Sequence, residues 1–121
     1  MADFRTIFEA YGGDYESTME RFLGNEAMYK RLLGMLFADE NMAKLDQALR
    51  QGDLERAFEA AHTLKGVAGN MGLKPFYQSV CRIVEPLRAR EKCDAYAQLY
   101  QTIKEEMQKV AQLYQLLGGD A

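Results

Sequence analysis

The chain has no tryptophan, one histidine, two prolines and two cysteines in 121 residues. Each scarcity excludes something. A lone histidine without clustered acidic or thiol partners cannot complete a metal shell. Cys81 and Cys93 are neither at a zinc-ligand spacing nor in a redox CxxC pair, so they read as reduced, packing thiols. β-Branched residues are few, and no stretch alternates apolar and polar residues between hairpin turns, which removes the strand signal. No long uncharged apolar run is available to span a membrane, and the opening MADFRTIFEAYGGD lacks a basic segment followed by an apolar one. A cytoplasmic location is the expectation. The net charge of −3 is spread along the chain without a block of one sign, so neither nucleic acid nor a membrane surface is expected as a partner.

What is present is an ordinary globular balance, 48% apolar and 27% charged, in a length that suits one domain over residues 1–121. Helical periodicity dominates it. Phe4, Ile7, Phe8 and Tyr11 form a short first helix stopped by Gly12-Gly13, and Asp14 caps a second with Tyr15, Met19 and Phe22 inward, ending near Gly24. Asn25 then caps one long helix with a stripe of Met28, Leu32, Met35, Leu36, Met42, Leu45 and Leu49, ended by Gly52. Asp53 caps the next, which buries Leu54, Ala57, Ala61, Leu64 and Ala68 and ends around Asn70 to Gly72. Pro75 suits the first turn of a fifth helix carrying Phe76, Val80, Ile83, Val84 and Leu87, where Pro86 predicts a kink or an early end. Asp94 is the expected start of the last helix, which runs from Tyr96 through Leu117. The expected fold is all-α: an antiparallel up-down-up-down four-helix bundle over residues 25–117, with two short N-terminal helices in residues 1–24 capping one end.

Chemistry concentrates in Ala61-His62-Thr63-Leu64-Lys65-Gly66-Val67-Ala68-Gly69-Asn70. At about 100° per residue His62 falls outside the inward arc, with Gly66 and Gly69 on its side and Lys65 between that side and the core. Glycine in a helix interior costs about 1 kcal/mol relative to alanine, and here two stand within four residues. They either open the surface beside the imidazole to another molecule, or permit close helix packing and fraying at the helix end. Imidazole can attack phosphorus and hold a phosphoryl group as a phosphoramidate, and a lysine ammonium one turn along can offset the phosphoryl charge. By spacing alone, however, an exposed His-Lys pair reads as a solvated face.

The run AHTLKGVAGNMGL closely resembles the phosphorylation-site signature of histidine-containing phosphotransfer (HPt) domains, a histidine followed by Leu-Lys-Gly and small residues. The turn before it, the Glu85-containing helix after it and the closing amphipathic helix extend the resemblance over about residues 25–117; the first two dozen residues add little, and Pro86 departs from the pattern. The resemblance implies a phosphorelay intermediate of two-component signalling. His62 would be the phosphoacceptor and Lys65 would assist phosphate binding, while Gly66 and Gly69 would keep the surface open to a receiver domain. Thr63 and Asn70 would be edge contacts. Phe58, one turn before His62, is either part of an apolar docking patch or a core residue at the edge of the stripe; Glu55 and Glu59 read as solvated. Implied partners are response-regulator receiver domains and a hybrid sensor histidine kinase. The chain lacks a P-loop and a paired-carboxylate cluster, so no autonomous kinase activity, bound cofactor or metal is expected, and magnesium would come from the receiver. Two other functions fit the same sequence: a non-catalytic helical adaptor that binds a receiver, and a phosphoacceptor domain carried by a histidine kinase. The start at Met1 and the Gly118-Gly119-Asp120-Ala121 tail are read as favouring a free-standing protein.

Overall fold

A computed structural model describes residues 3–119; Met1, Ala2, Asp120 and Ala121 lie outside it. The described residues form seven α-helices and no strand: α1 (Phe4–Tyr11), α2 (Tyr15–Arg21), α3 (Glu26–Leu36), α4 (Asn41–Gln51), α5 (Leu54–Asn70), α6 (Lys74–Arg88) and α7 (Tyr96–Leu116). Local chemistry sets most starts. The side chains of Asp3, Asp14, Asn25 and Asp53 accept from the backbone N–H of Thr6, Ser17, Met28 and Arg56, each satisfying a donor that has no partner within its helix.

The long helix expected from Asn25 to Gly52 is two helices. α3 stops at Leu36, where the N–H groups of Ala38 and Asp39 bond three residues back, to Met35 and Leu36. The Asp39 carboxylate then accepts from the Asn41 backbone N–H at 2.7 Å, which starts α4 on a new axis. The break changes which residues are buried. α3 buries Tyr29, Leu33 and Leu36, while Leu32 and Met35, expected inside, are exposed. Tyr29 anchors this corner: its ring lies edge-on to Phe4, Phe8 and Phe22, and its hydroxyl donates to the Met71 carbonyl at 2.7 Å, where α5 ends. Burial holds the Tyr29 phenol far above its ordinary pKa, so it stays a neutral donor.

α5 packs closely against both α4 and α6, α6 packs against α7, and α1, α3 and α4 also touch α7. Asp94 does not cap the last helix: α7 begins at Tyr96 after Ala95, whose N–H donates to the Cys93 sulfur at 3.3 Å. α6 runs through Pro86 and ends two residues later at Arg88, so the bond that Pro86 removes belongs to the final turn. Cys81 and Cys93 are both free and half-buried.

Two left-handed glycines separate backbone strain from crowding. A Cβ on Gly52 (φ +70°) would meet open space, whereas one on Gly72 (φ +65°) would lie 2.0 Å from Thr18 Oγ1. Gly52→Ala is expected to cost about 1 kcal/mol and Gly72→Ala about 3 kcal/mol in urea unfolding, the difference being overpacking against α2. Equal costs would mean that α2 yields freely at this contact.

Candidate functional site

The placement of His62 follows from what α5 buries. Ala57, Ala60, Ala61, Leu64 and Ala68 point into the core, and four alanines in that set let α4 and α6 approach closely. His62, one step beyond Ala61, is exposed. It lines a shallow depression of about 240 Å³ with Lys65, Gly66, Gly69, Asn70 and Tyr77. Five residues singled out from the sequence are thus brought together on one face, with Lys65 half-buried and Gly66 and Asn70 exposed.

The two glycines resolve differently. A Cβ on Gly66 would meet nothing within 4 Å, so no neighbouring element of the chain requires glycine there. On Gly69 it would touch the Tyr77 ring at 3.7 Å, an ordinary packing distance. Close helix packing therefore explains neither, and the missing Cβ atoms serve the open face beside the imidazole.

Thr63 and Phe58 do not line the depression. The Thr63 hydroxyl donates to the Glu59 carbonyl at 3.0 Å, and its side chain faces a groove between α4 and α5 with Asn41, Lys44 and Arg56. Phe58 is half-buried against the core, and its ring centroid lies 5.5 Å from that of His62 with 36° between the planes. Glu55, read as solvated, pairs with Arg90 at 3.2 Å.

Three residues at the site were not indicated by the sequence. Tyr77 closes the depression from α6, and hydrogen bonding with the Cys81 thiol one turn on raises its phenol pKa. Arg88 and Arg90 place guanidinium carbons 5.3 Å and 4.7 Å from the Phe58 ring centroid. Tyr77 lies one residue outside the buried stripe of α6, and which flank of α6 meets α5 is set by packing. Arg90 reaches Phe58 only because its backbone is left-handed, φ +54°, which periodicity does not reveal. Among the described residues no cluster of three or more His, Cys, Asp or Glu could hold a metal ion, and no helix is long and apolar enough to cross a membrane.

A helical domain with an exposed histidine, a lysine one turn on and a side-chain-free patch beside both defines a class of carrier that offers a nucleophile on its surface. The family model of the Hpt domain matches residues 32–113, and the chain belongs to that family. Hpt domains carry phosphoryl groups on histidine in two-component phosphorelays, interact with receiver domains and kinases, and are not autonomous kinases. No curated protein and no solved structure matches the chain.

Because nothing in the chain fills the space beside Gly66, Gly66→Ala is expected to raise stability by about 1 kcal/mol, the helix-propensity difference. Urea unfolding checks this; a loss of stability would mean that glycine is there for packing after all.

Proposed function

We propose that His62 is the phosphoacceptor of a phosphorelay, receiving a phosphoryl group from the aspartate of one receiver domain and passing it to another. The observation that carries this reading is the open space beside Gly66, next to the exposed imidazole, in a chain of the Hpt domain family. The unprotonated ring nitrogen of His62 attacks the phosphorus of the aspartyl phosphate. An N–P bond forms as the P–O bond to the aspartate breaks, the aspartate carboxylate leaves with the bonding pair, and the proton on the other ring nitrogen passes to water. Transfer to a second receiver reverses these steps on a new carboxylate.

Each neighbour has a separate task in this reaction. The Lys65 ammonium offsets charge on the phosphoryl oxygens, Gly66 and Gly69 admit the receiver's acidic pocket to contact distance, and Asn70 meets its edge. The chain binds no cofactor of its own, and magnesium arrives with the receiver. The domain spans residues 1–121, with the α3–α4 segment, α5, α6 and α7 as an antiparallel up-down-up-down bundle and α1 and α2 as its cap. It works in the cytoplasm, with a hybrid sensor histidine kinase as the source of phosphate.

Incubation with phosphorylated receiver domains tests the proposal. The wild-type chain is expected to acquire acid-labile phosphate and His62→Gln none. Lys65→Ala is expected to slow transfer about tenfold, as the loss of one charge-assisted hydrogen bond would. Gly66→Ala is expected to slow transfer despite its greater stability. Full labelling of His62→Gln would overturn the assignment.

A further inference from the structure

α6 ends in a turn that normally belongs to glycine. Arg90 has φ +54°, and the Glu91 N–H donates to the Pro86 carbonyl at 3.0 Å, the pattern in which the left-handed residue just past a helix is by default glycine. An arginine in that position works against its own backbone preference, so its side chain has to account for it. The guanidinium is heavily engaged. Nη1 donates to the Leu87 carbonyl at 2.8 Å and to the Arg88 carbonyl at 3.2 Å, and Nη2 pairs with Glu55 at 3.2 Å.

The same guanidinium lies over the Phe58 ring, with Arg88 as a second cation against that ring. A half-buried phenyl ring would otherwise keep freedom about its side-chain torsions; here two cations and the Glu55 tether restrict it. Phe58 in turn stands one helical turn before His62, with their rings in contact. An unbroken set of contacts therefore runs from the end of α6 to the imidazole: Glu55, Arg90, Phe58, His62.

We propose that Phe58 and Arg90 are positioning residues for His62: the phenyl ring is a platform that holds the imidazole plane toward the depression at Gly66, and Arg90 holds the platform. This rests on the phosphorelay reading and assigns Phe58 a task other than receiver contact. An imidazole on an exposed helix face samples several rotamers, and in-line attack on phosphorus needs one of them. The platform raises the fraction of encounters in which the ring nitrogen is already aimed, and leaves the docking surface unchanged.

The test combines kinetics with the spectrum of the only histidine. Transfer from a phosphorylated receiver is measured over a range of receiver concentrations for wild type, Phe58→Leu, Phe58→Tyr and Arg90→Gly, with urea unfolding as the control for folding. Phe58→Leu is expected to lower the saturating rate about tenfold and leave the half-saturating concentration within about twofold of wild type. Phe58→Tyr is expected to recover that rate. Arg90→Gly, which relieves the backbone, is expected to slow transfer severalfold without loss of stability. The imidazole C–H resonances, displaced by the Phe58 ring in wild type, are expected to move toward free-imidazole positions in Phe58→Leu and Arg90→Gly. A wild-type saturating rate in Phe58→Leu, or a loss confined to the half-saturating concentration, overturns the proposal. If the wild-type chain takes no phosphate, the phosphorelay reading fails instead, and unchanged imidazole resonances in the two variants would then sink the platform by themselves.

Discussion

The rotation of α5 about its own axis is the constraint on which everything at the site depends. Leu64 and Ala57, Ala60, Ala61 and Ala68 are buried between α4 and α6, and small side chains bring both neighbours in close. Turning α5 by one residue position would lift Leu64 toward water, forfeiting about 1.5–3 kcal/mol of burial, and would drive His62 against a neighbouring helix. The core thus fixes the exposure of the imidazole. The functional face is what remains of α5 once its apolar side has been satisfied, and Lys65, Gly66 and Gly69 are carried there by the same rotation.

Where side chain and backbone conformation are locally coupled, the sequence was legible. Asp14, Asn25 and Asp53 were read as helix starts because a short oxygen-bearing side chain can reach the N–H two or three residues on, and all three accept such a bond. The alanine-rich face of α5 was legible for a related reason, since a fixed period of 3.6 residues converts spacing into direction. Failures came where tertiary contacts decide. A helix from Asn25 to Gly52 satisfies periodicity, but the bond from Asn41 to the Asp39 carboxylate and the packing of Tyr29 between Phe4, Phe8 and Phe22 divide it and turn Met35 outward. Asp94 had the right chemistry for a cap, yet α7 starts two residues later, after a turn in which Cys93 is the acceptor. At the site, His62, Lys65, Gly66, Gly69 and Asn70 belong to one helix and could be assembled from spacing. Tyr77, Arg88 and Arg90 come from α6 and its end, and no local pattern relates them to His62.

The environment of His62 is asymmetric along α5. Toward the C-terminus lie Lys65 and the two glycines, where the chain presents a charge and open space; toward the N-terminus lies Phe58, held by Arg88 and Arg90. A phosphoryl carrier needs both sides. The open side lets a second protein bring its reacting carboxylate close, and the packed side restrains a nucleophile that would otherwise spend much of its time misaligned. Gly66 and Arg90 share a thermodynamic character, since each is a residue that its local backbone disfavours: glycine within a helix, arginine in a left-handed turn. Such local conflicts concentrate where a protein is shaped for something other than its own stability.

The most direct measurement is the location of the phosphorus. With one histidine in the chain there is one pair of imidazole C–H resonances to follow by NMR as a phosphorylated receiver is added. The account predicts that both shift together and show scalar coupling to a single phosphorus resonance, and that the signal disappears on acidification. Phosphorus coupled to any other side chain, or an imidazole spectrum unchanged while the protein becomes labelled, would contradict it.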